Sequence, residues 1–270
     1  HNHQPMNNIL VPIGTSPNSS DTLQYAIDFA AKFGAQVYVM DVITVISAAG
    51  SLANVEQKVV QSSKEQIKEI IDTVNKGKVE IKIATYNGDI VDGLKSIHKE
   101  LGIDLIIMAP RSNDIKEELY LGNTSGRIVK QTNIPTLLVP KGTVFKPIKS
   151  IMTAFGSGIL KRNRVLNPLV AIKDKFRAKI SLLLVKRPGY SEEDLQINTA
   201  LLDLSQKVNI TEQATTYLGV LEHFQKEQPD MLCVFRRKRG FFKKLWEKNT
   251  IPKSEFFVPI PVLVLSVKKE

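Results

Sequence analysis

The sequence predicts an α/β protein of two tandem domains, each a five-stranded, mainly parallel sheet with helices on both faces. Three observations carry that reading. Through the first half, apolar runs of strand length alternate with amphipathic runs of helical length. Residues 104–109 (DLIIMA) are apolar enough to be a strand buried on both faces, as parallel sheets require. The second half then repeats the first. Residues 102–108 through 134–139 run parallel to 228–234 through 260–265 at a constant offset of 126 residues, without a gap.

The elements follow in order. Residues 8–12 (NILVP) are a short apolar strand. Residues 19–33 carry Leu23, Ala26, Ile27, Ala30 and Ala31 on one helical stripe, and Gly34 stops that helix. Residues 35–43 (AQVYVMDVI) are a second strand, and 52–75 a long amphipathic helix carrying Val55, Val59, Ile67, Ile70, Ile71 and Val74. Residues 79–86 alternate Val79, Ile81 and Ile83 with charged neighbours, a third strand. Residues 90–101 are a helix with Asp89 as its cap. After the strand at 104–109 come a helix at 124–131 and a fifth strand at 135–139. The order implies right-handed crossovers. The second copy opens with Ser150-Ile151-Met152-Thr153, which aligns with Asn8-Ile9-Leu10-Val11. The expected division is a first domain at 7–140, a linker at 141–149 and a second domain at 150–270, with 1–6 read as a tag remnant.

Composition narrows the function. At 270 residues, 43% hydrophobic and 24% charged, the chain has material for two buried cores. No apolar run approaches the ~20 residues of a membrane span. A single cysteine, Cys233, excludes an intrachain disulfide framework, and no metal-ligand spacing is present. Cys233 sits inside an apolar strand as a small buried hydrophobe. Setting aside His1 and His3, His98 and His223 lie on helices in surface or packing roles, so no catalytic residue is assigned. The acids Glu117-Glu118 and Glu192-Glu193-Asp194 fall in polar loops or helix starts, as solvated groups. Nothing addresses the chain elsewhere, so the expected compartment is the cytoplasm.

The formal charge of +10 is unevenly placed. Residues 1–146 hold 15 Lys/Arg against 15 Asp/Glu, whereas residues 147–270 hold 22 against 12. The asymmetry points to an anionic partner for the second half or, equally, to a basic surface that serves solubility.

In doubly wound sheets, ligands bind beyond the carboxyl ends of the strands, at the switch in strand order. That places a candidate first-domain site at the loops after Pro12, Ile43 and Ala109. After the fourth strand the chain reads Ala109-Pro110-Arg111-Ser112, nine residues, then Gly122-Asn123-Thr124-Ser125 at a helix start. Here the sequence resembles the universal stress protein family. ATP-binding members of that family carry Gly-x-x-Gly, nine residues, then Gly-Ser/Thr at this point. The opening Asn8-Ile9-Leu10-Val11-Pro12, the closing Ile134-Pro135-Thr136-Leu137-Leu138-Val139 and Asn87-Gly88-Asp89 also look like the family's.

The resemblance implies Rossmann-like domains of the adenine nucleotide alpha hydrolase type, with ATP or another adenine nucleotide as the ligand of the first. The site would comprise Pro12, Gly14, Thr15, Val42, Ala109, Arg111, Ser112, Gly122, Asn123, Thr124 and Ser125. Its phosphate loop is eroded. Ala109 and Ser112 replace two glycines that let backbone N–H groups close around a phosphate. Pro110 removes one donor, and Gly14 stands where relatives carry an Asp that helps hold the nucleotide. Gly122 remains, at a helix start suited either to a plain cap or to a phosphate.

The second copy departs further. Phe235-Arg236-Arg237-Lys238 stands where the glycine loop would begin, and Lys248 replaces its last glycine. It carries instead a basic and aromatic run: Arg236, Arg237, Lys238, Arg239, Lys243, Lys244 and Lys248 around Phe241, Phe242, Leu245 and Trp246. Such a run suits nucleic acid or an anionic membrane. Equally, the i, i+4 spacing of its aromatics makes a packed helix face with solvated charges, and that reading is favoured.

The resemblance also implies domain pairing through the last strands, here within one chain through 136–139 and 262–267, with a homodimer of the whole chain still open. Three functions stand at this point. One is a non-catalytic stress-response protein holding a small anionic ligand or a protein partner. The second is an ATP- or AMP-binding protein with weak ATPase activity. The third acts on nucleic acid or membrane through 236–248.

Overall fold

The computed structural model describes residues 6–13, 19–45, 52–110, 123–237 and 260–267. The first half contains β1 (Asn8–Pro12), α1 (Ser19–Phe33), β2 (Gln36–Ile43), α2 (Leu52–Asp72), β3 (Ile81–Asn87), α3 (Ile90–Leu101), β4 (Leu105–Met108), α4 (Asn123–Gln131) and β5 (Thr136–Leu138). The second contains β6 (Ser150–Phe155), α5 (Asn167–Phe176), β7 (Lys179–Lys186), α6 (Thr199–Leu204), β8 (Ser205–Glu212), α7 (Thr216–Glu227), β9 (Met231–Arg236) and β10 (Val262–Ser266).

All ten strands form one sheet in the order β3-β2-β1-β4-β5-β10-β9-β6-β7-β8. Every pairing is parallel except the central one. There β5 and β10 run antiparallel, with Leu138 opposite Val262 and Thr136 opposite Val264. Each half is thus a doubly wound 3-2-1-4-5 sheet, and the two closing strands join them edge to edge.

Alternation along the strands fills two cores. Ile9, Val11, Leu105, Ile107 and Cys233 face one side, where α1, α2 and α5 pack. Leu10, Ile106, Met108, Leu232 and Val234 face the other, beneath α3, α4 and α7. On the first side Tyr25, Phe29 and Phe33 of α1 meet Phe145 and Phe176, with ring centroids 4.9–6.4 Å apart. Phe145 belongs to the connecting segment, so this cluster pins the connection to both halves. Met6, set outside the first domain on sequence, is 6% exposed and joins the same core.

The repeat extends further in three dimensions than in the letters. Asp89 caps α3 through Val91 and Asp92 N–H, and Thr215, 126 residues on, caps α7 through Leu218 N–H. Gly102 closes α3 in the left-handed region, and Gln228 closes α7 likewise. Asp104 Oδ2 accepts the N–H groups of Asn7 and Asn8 at 2.9 Å. Its counterpart Asp230 accepts those of Lys149 and Ser150 at 2.8 and 3.1 Å. In each half a charge-assisted clamp fastens the opening strand to the fourth.

In the first half, two boundaries move by more than one residue from their sequence positions. α2 ends at Asp72 because its chain tightens: Thr73 and Val74 donate to the carbonyls of Ile70 and Ile71, three residues back. β3 starts at Ile81 because Val79 N–H is spent in a turn on the Lys76 carbonyl. The second half also departs from a strict repeat. Where α2 has 21 residues, the chain between β7 and β8 holds a short 3-10 turn and the six-residue α6.

Candidate functional site

In the first half a cavity of about 670 Å³ opens at the carboxyl ends of the strands. It lies at the switch in strand order, where β1 neighbours both β2 and β4. Val11, Pro12 and Ile13 line it from β1, Asp41, Val42 and Thr44 from β2, and Met108 and Ala109 from β4. Three helix starts face it, contributing Ser19 and Thr22 (α1), Asp89 and Ile90 (α3), and Thr124, Ser125 and Ile128 (α4); Lys141 completes the wall. Five residues expected on sequence therefore come together: Pro12, Val42, Ala109, Thr124 and Ser125. Gly14, Thr15, Arg111, Ser112 and Gly122 lie outside the described residues, as does the side chain of Asn123.

Hydrogen bonds fix this wall. Ser125 Oγ donates to the Ala109 carbonyl at 2.9 Å, tying the start of α4 to the end of β4. Asp41 accepts from its own neighbour Val42 N–H at 2.9 Å and from the buried Ser63 hydroxyl at 2.8 Å. Asp89, besides capping α3, lies 2.7 Å from an Arg127 guanidinium nitrogen. That hydrogen bond, opposed by desolvation and helped by the cap donors, holds the Asp89 carboxyl below its ordinary pKa. Sequence reasoning missed Asp41, Arg127 and Lys141. Asp41 sits in an apolar strand and Lys141 in the connection, so neither stands in a local motif. Arg127 lies inside α4, far along the chain from Asp89, so no local spacing pairs the two.

Among the described residues, the equivalent place in the second half carries bulkier side chains. Phe155 stands where β1 leads to Ile13, and Phe235 where β4 leads to Ala109; both are buried, with centroids 5.9 Å apart. Arg237 follows, its guanidinium 5.9 Å from the Phe235 ring. It donates to the Ser157 carbonyl at 3.0 Å and to the Ile159 carbonyl. Asp194 draws close through Ser157 and attracts Arg237. Burial is the main force lowering the Arg237 pKa; Arg187 adds to it and Asp194 opposes it. Arg187 is packed so tightly against Gly156 that a Cβ there would stand 2.6 Å from its Nε. Glu192-Glu193-Asp194 is thus a capped turn whose third member holds this lining together, beyond the solvated role expected.

Arg236 is engaged as well. It donates to Asn133 Oδ1 at 2.6 Å and Ser266 Oγ at 3.3 Å, bridging the two halves. The first two cations of the basic run are therefore bonded inside the chain. Lys238, Arg239, Lys243, Lys244 and Lys248 lie outside the described residues, with the aromatics between them and Glu117-Glu118.

Cys233 is fully buried, and burial pushes its thiol up to about 12. His98 Nδ1 accepts Ile103 N–H at 3.0 Å, a packing role at the end of α3. Among the described residues no group of His, Cys, Asp and Glu is placed to hold a metal ion. No helix among them is long and apolar enough to cross a membrane.

Sheet order and crevice together define a Rossmann-like α/β protein with a ligand-sized site at its strand switch. Residues 6–140 match the sequence profile of the universal stress protein family, and the chain belongs to that family. It is 25% identical over 138 residues to a universal stress protein of Methanocaldococcus jannaschii, a match covering 49% of this chain and 81% of that protein. Among solved structures it is similar to a universal stress protein from Archaeoglobus fulgidus DSM 4304. The TM-score is 0.64 at 16% identity, over 97% of this chain and 99% of the other. A functionally unknown protein from Pseudomonas aeruginosa PAO1 gives 0.59 at 13% identity, over 97% and 93%. At these identities the solved structures share the fold, and they share it across both halves.

Proposed function

We propose that this chain is a non-catalytic binding protein. Its domain at 7–140 holds one small anionic ligand of the adenine nucleotide class; its domain at 150–270, joined through 141–149, holds none. The asymmetry of the two crevices carries this reading. The first is open, and its volume lies within the range of about 300–1,000 Å³ usual for small-molecule sites. The second, among its described residues, carries Phe155, Phe235 and Arg237 in the corresponding places. Val11, Ile13, Met108 and Ile128 offer a flat aromatic ring an apolar bed. The start of α4, with Thr124 and Ser125, offers N–H donors and a positive helix end to a phosphate. Lys141 adds positive charge.

Non-catalysis is supported by the state of the acids. Asp41 and Asp89 are both committed to hydrogen bonds within the protein, so neither is held ready as a general base. Calorimetric titration of the whole chain with ATP, ADP, AMP and cyclic AMP tests the proposal. One site per chain is expected for at least one of them, weakened at least tenfold by Val42→Trp, with no phosphate released from ATP. Absence of heat at millimolar nucleotide, or two sites per chain, would overturn it.

A further inference from the structure

Among the described residues the sheet ends in two edge strands, β3 and β8. They differ in what covers them on the side of α1, α2 and α5. Over β3 lies the 21-residue α2, and Ile81 and Ile83 pack half-buried against the core. At the corresponding place the chain between β7 and β8, all of it among the described residues, has only a 3-10 turn and the six-residue α6. Val208 and Ile210 of β8 lie beside Leu182 and Leu184, which belong to that same core, yet they are 39% and 58% exposed. An edge with bare apolar residues and unspent main-chain groups is a template for another strand.

The bond to β7 fixes which groups point outward. Gln213 N–H donates to the Lys186 carbonyl at 3.2 Å. Main-chain groups alternate along a strand, so Lys207, Asn209 and Thr211 also turn theirs to β7. Gln206, Val208, Ile210 and Glu212 turn theirs away from the sheet, where no described strand lies.

We propose that β8 pairs antiparallel with β8 of a second copy of this chain, about a twofold axis at Asn209. Val208 of each copy then stands opposite Ile210 of the other, on the face that α6 leaves uncovered. Their outward N–H and C=O groups bond across the junction, as do those of Gln206 and Glu212. Any neighbouring register sets Val208 or Ile210 against Gln206 or Glu212. Charge agrees with this register. Lys207, 54% exposed and 3.7 Å from Glu227 of its own copy, meets Thr211 of the other. That hydroxyl donates to Glu222 at 3.0 Å, so each ammonium is carried toward a half-exposed carboxylate of the other copy. Glu212 meets the amide of Gln206. Asn209 meets its own copy at the axis, its amide held by Glu227 at 2.6 Å. Within β8 no like charges stand opposite each other.

Sedimentation equilibrium of the whole chain tests the proposal. A reversible dimer is expected at micromolar concentration, and Ile210→Lys should weaken it at least tenfold. Ile210→Pro removes only an outward N–H, a change tolerated at a sheet edge, and should abolish the dimer while circular dichroism shows the fold kept. Lys82→Ala on the opposite edge should leave it within twofold. Asn209→Cys sets two thiols at the axis, in the closer, non-hydrogen-bonded type of pair, and should cross-link under oxidised glutathione. Thr211→Cys, opposite Lys207, should not, and the native Cys233 is fully buried. A monomer at every concentration, a dimer indifferent to Ile210→Lys and Ile210→Pro, one lost equally in Lys82→Ala, or equal cross-linking of the two cysteine variants would overturn the proposal.

Discussion

The second half carries two strained helix ends that the first half solves with glycine, and relieving them should stabilise the protein. α1 ends at Gly34 (φ +62°), and Ala35 N–H reaches back to the Ala30 carbonyl. α5 ends with the same bonds around Arg177 (φ 53°), where Ala178 N–H reaches the Lys173 carbonyl. Likewise α3 ends at Gly102 (φ 69°) and α7 at Gln228 (φ 44°). The left-handed conformation costs a residue with a Cβ roughly 1–2 kcal/mol. Glycine gives back about 0.5–1 kcal/mol through its freer unfolded chain. The net gain expected from Arg177→Gly or Gln228→Gly is about 0.5–1 kcal/mol each. Both side chains are exposed, so little packing is lost. The sites lie on different helices and their effects should add to about 1–2 kcal/mol, roughly 3–6 °C in Tm for a chain of this size. Urea unfolding followed by circular dichroism measures it, with the midpoint rising at constant slope. Arg177→Ala and Gln228→Ala keep the Cβ and should not capture the gain. Gly34→Ala and Gly102→Ala should lose about 1 kcal/mol each. If the glycine variants are no more stable than the parent, or the alanine variants match them, backbone strain at these ends is not a significant cost.

Two further predictions follow from the same comparison. Gly93 and Gly219 occupy equivalent positions on α3 and α7, each pressed on a neighbouring strand. A Cβ at Gly93 would stand 2.6 Å from the tip of Met40 and also 2.8 and 2.9 Å from Cδ1 and Cγ of the Tyr86 ring, whereas at Gly219 one contact is as short, 2.5 Å from Cγ2 of Val185. Overpacking costs typically 1–3 kcal/mol against a helix-propensity gain of about 1 kcal/mol, so Gly93→Ala, which must shift a packed ring as well as a methionine, should destabilise more than Gly219→Ala in urea unfolding; the reverse order would contradict the packing argument. Asp89 supplies a pH dependence. Its carboxyl is held below the ordinary value by Arg127, so its contribution is fully present above the unfolded pKa of about 3.9 and is lost as pH falls through the lower folded value. Asp89→Asn should flatten the acid limb of the stability–pH curve, and Arg127→Ala should flatten it in part; a limb that both leave unchanged would remove the ion pair from the account.

Periodicity carried most of the fold. β1, α1 and α3 fall where the apolar spacing puts them, and β4 is buried at all four positions because it is covered from both sides. The repeat was readable in the letters at the opening strands, 8–11 against 150–153, and again from residue 102 onward. Between these stretches the two halves meet the same demand with different residues: Asp89 against Thr215 as caps, Gly34 against Arg177 at a helix end. A cap needs an oxygen and a helix end needs a left-handed residue, and neither need fixes one letter. The loss of α2 from the second half was hidden for a related reason. Residues 191–195 begin like a helix, with a capping box, and stop after one 3-10 turn. The bulkier lining of the second crevice was hidden because it joins Arg237 to residues about 80 positions away in the chain.

The direction of the strands separates the two crevices. Because β5 and β10 are antiparallel, the carboxyl ends of the two halves' strands point to opposite ends of the sheet. At one end lies the open first-half crevice. At the other lie Phe155, Phe235 and Arg237, and at that same end the chain ahead of α5 turns Lys161, Arg162 and Arg164 toward the seam. The segment that would border a nucleotide in the second half borders the other half instead. The strand direction thus sets the loop-bearing ends of the two halves at opposite ends of one sheet, so none of the described residues of β6–β10 lines the first-half crevice.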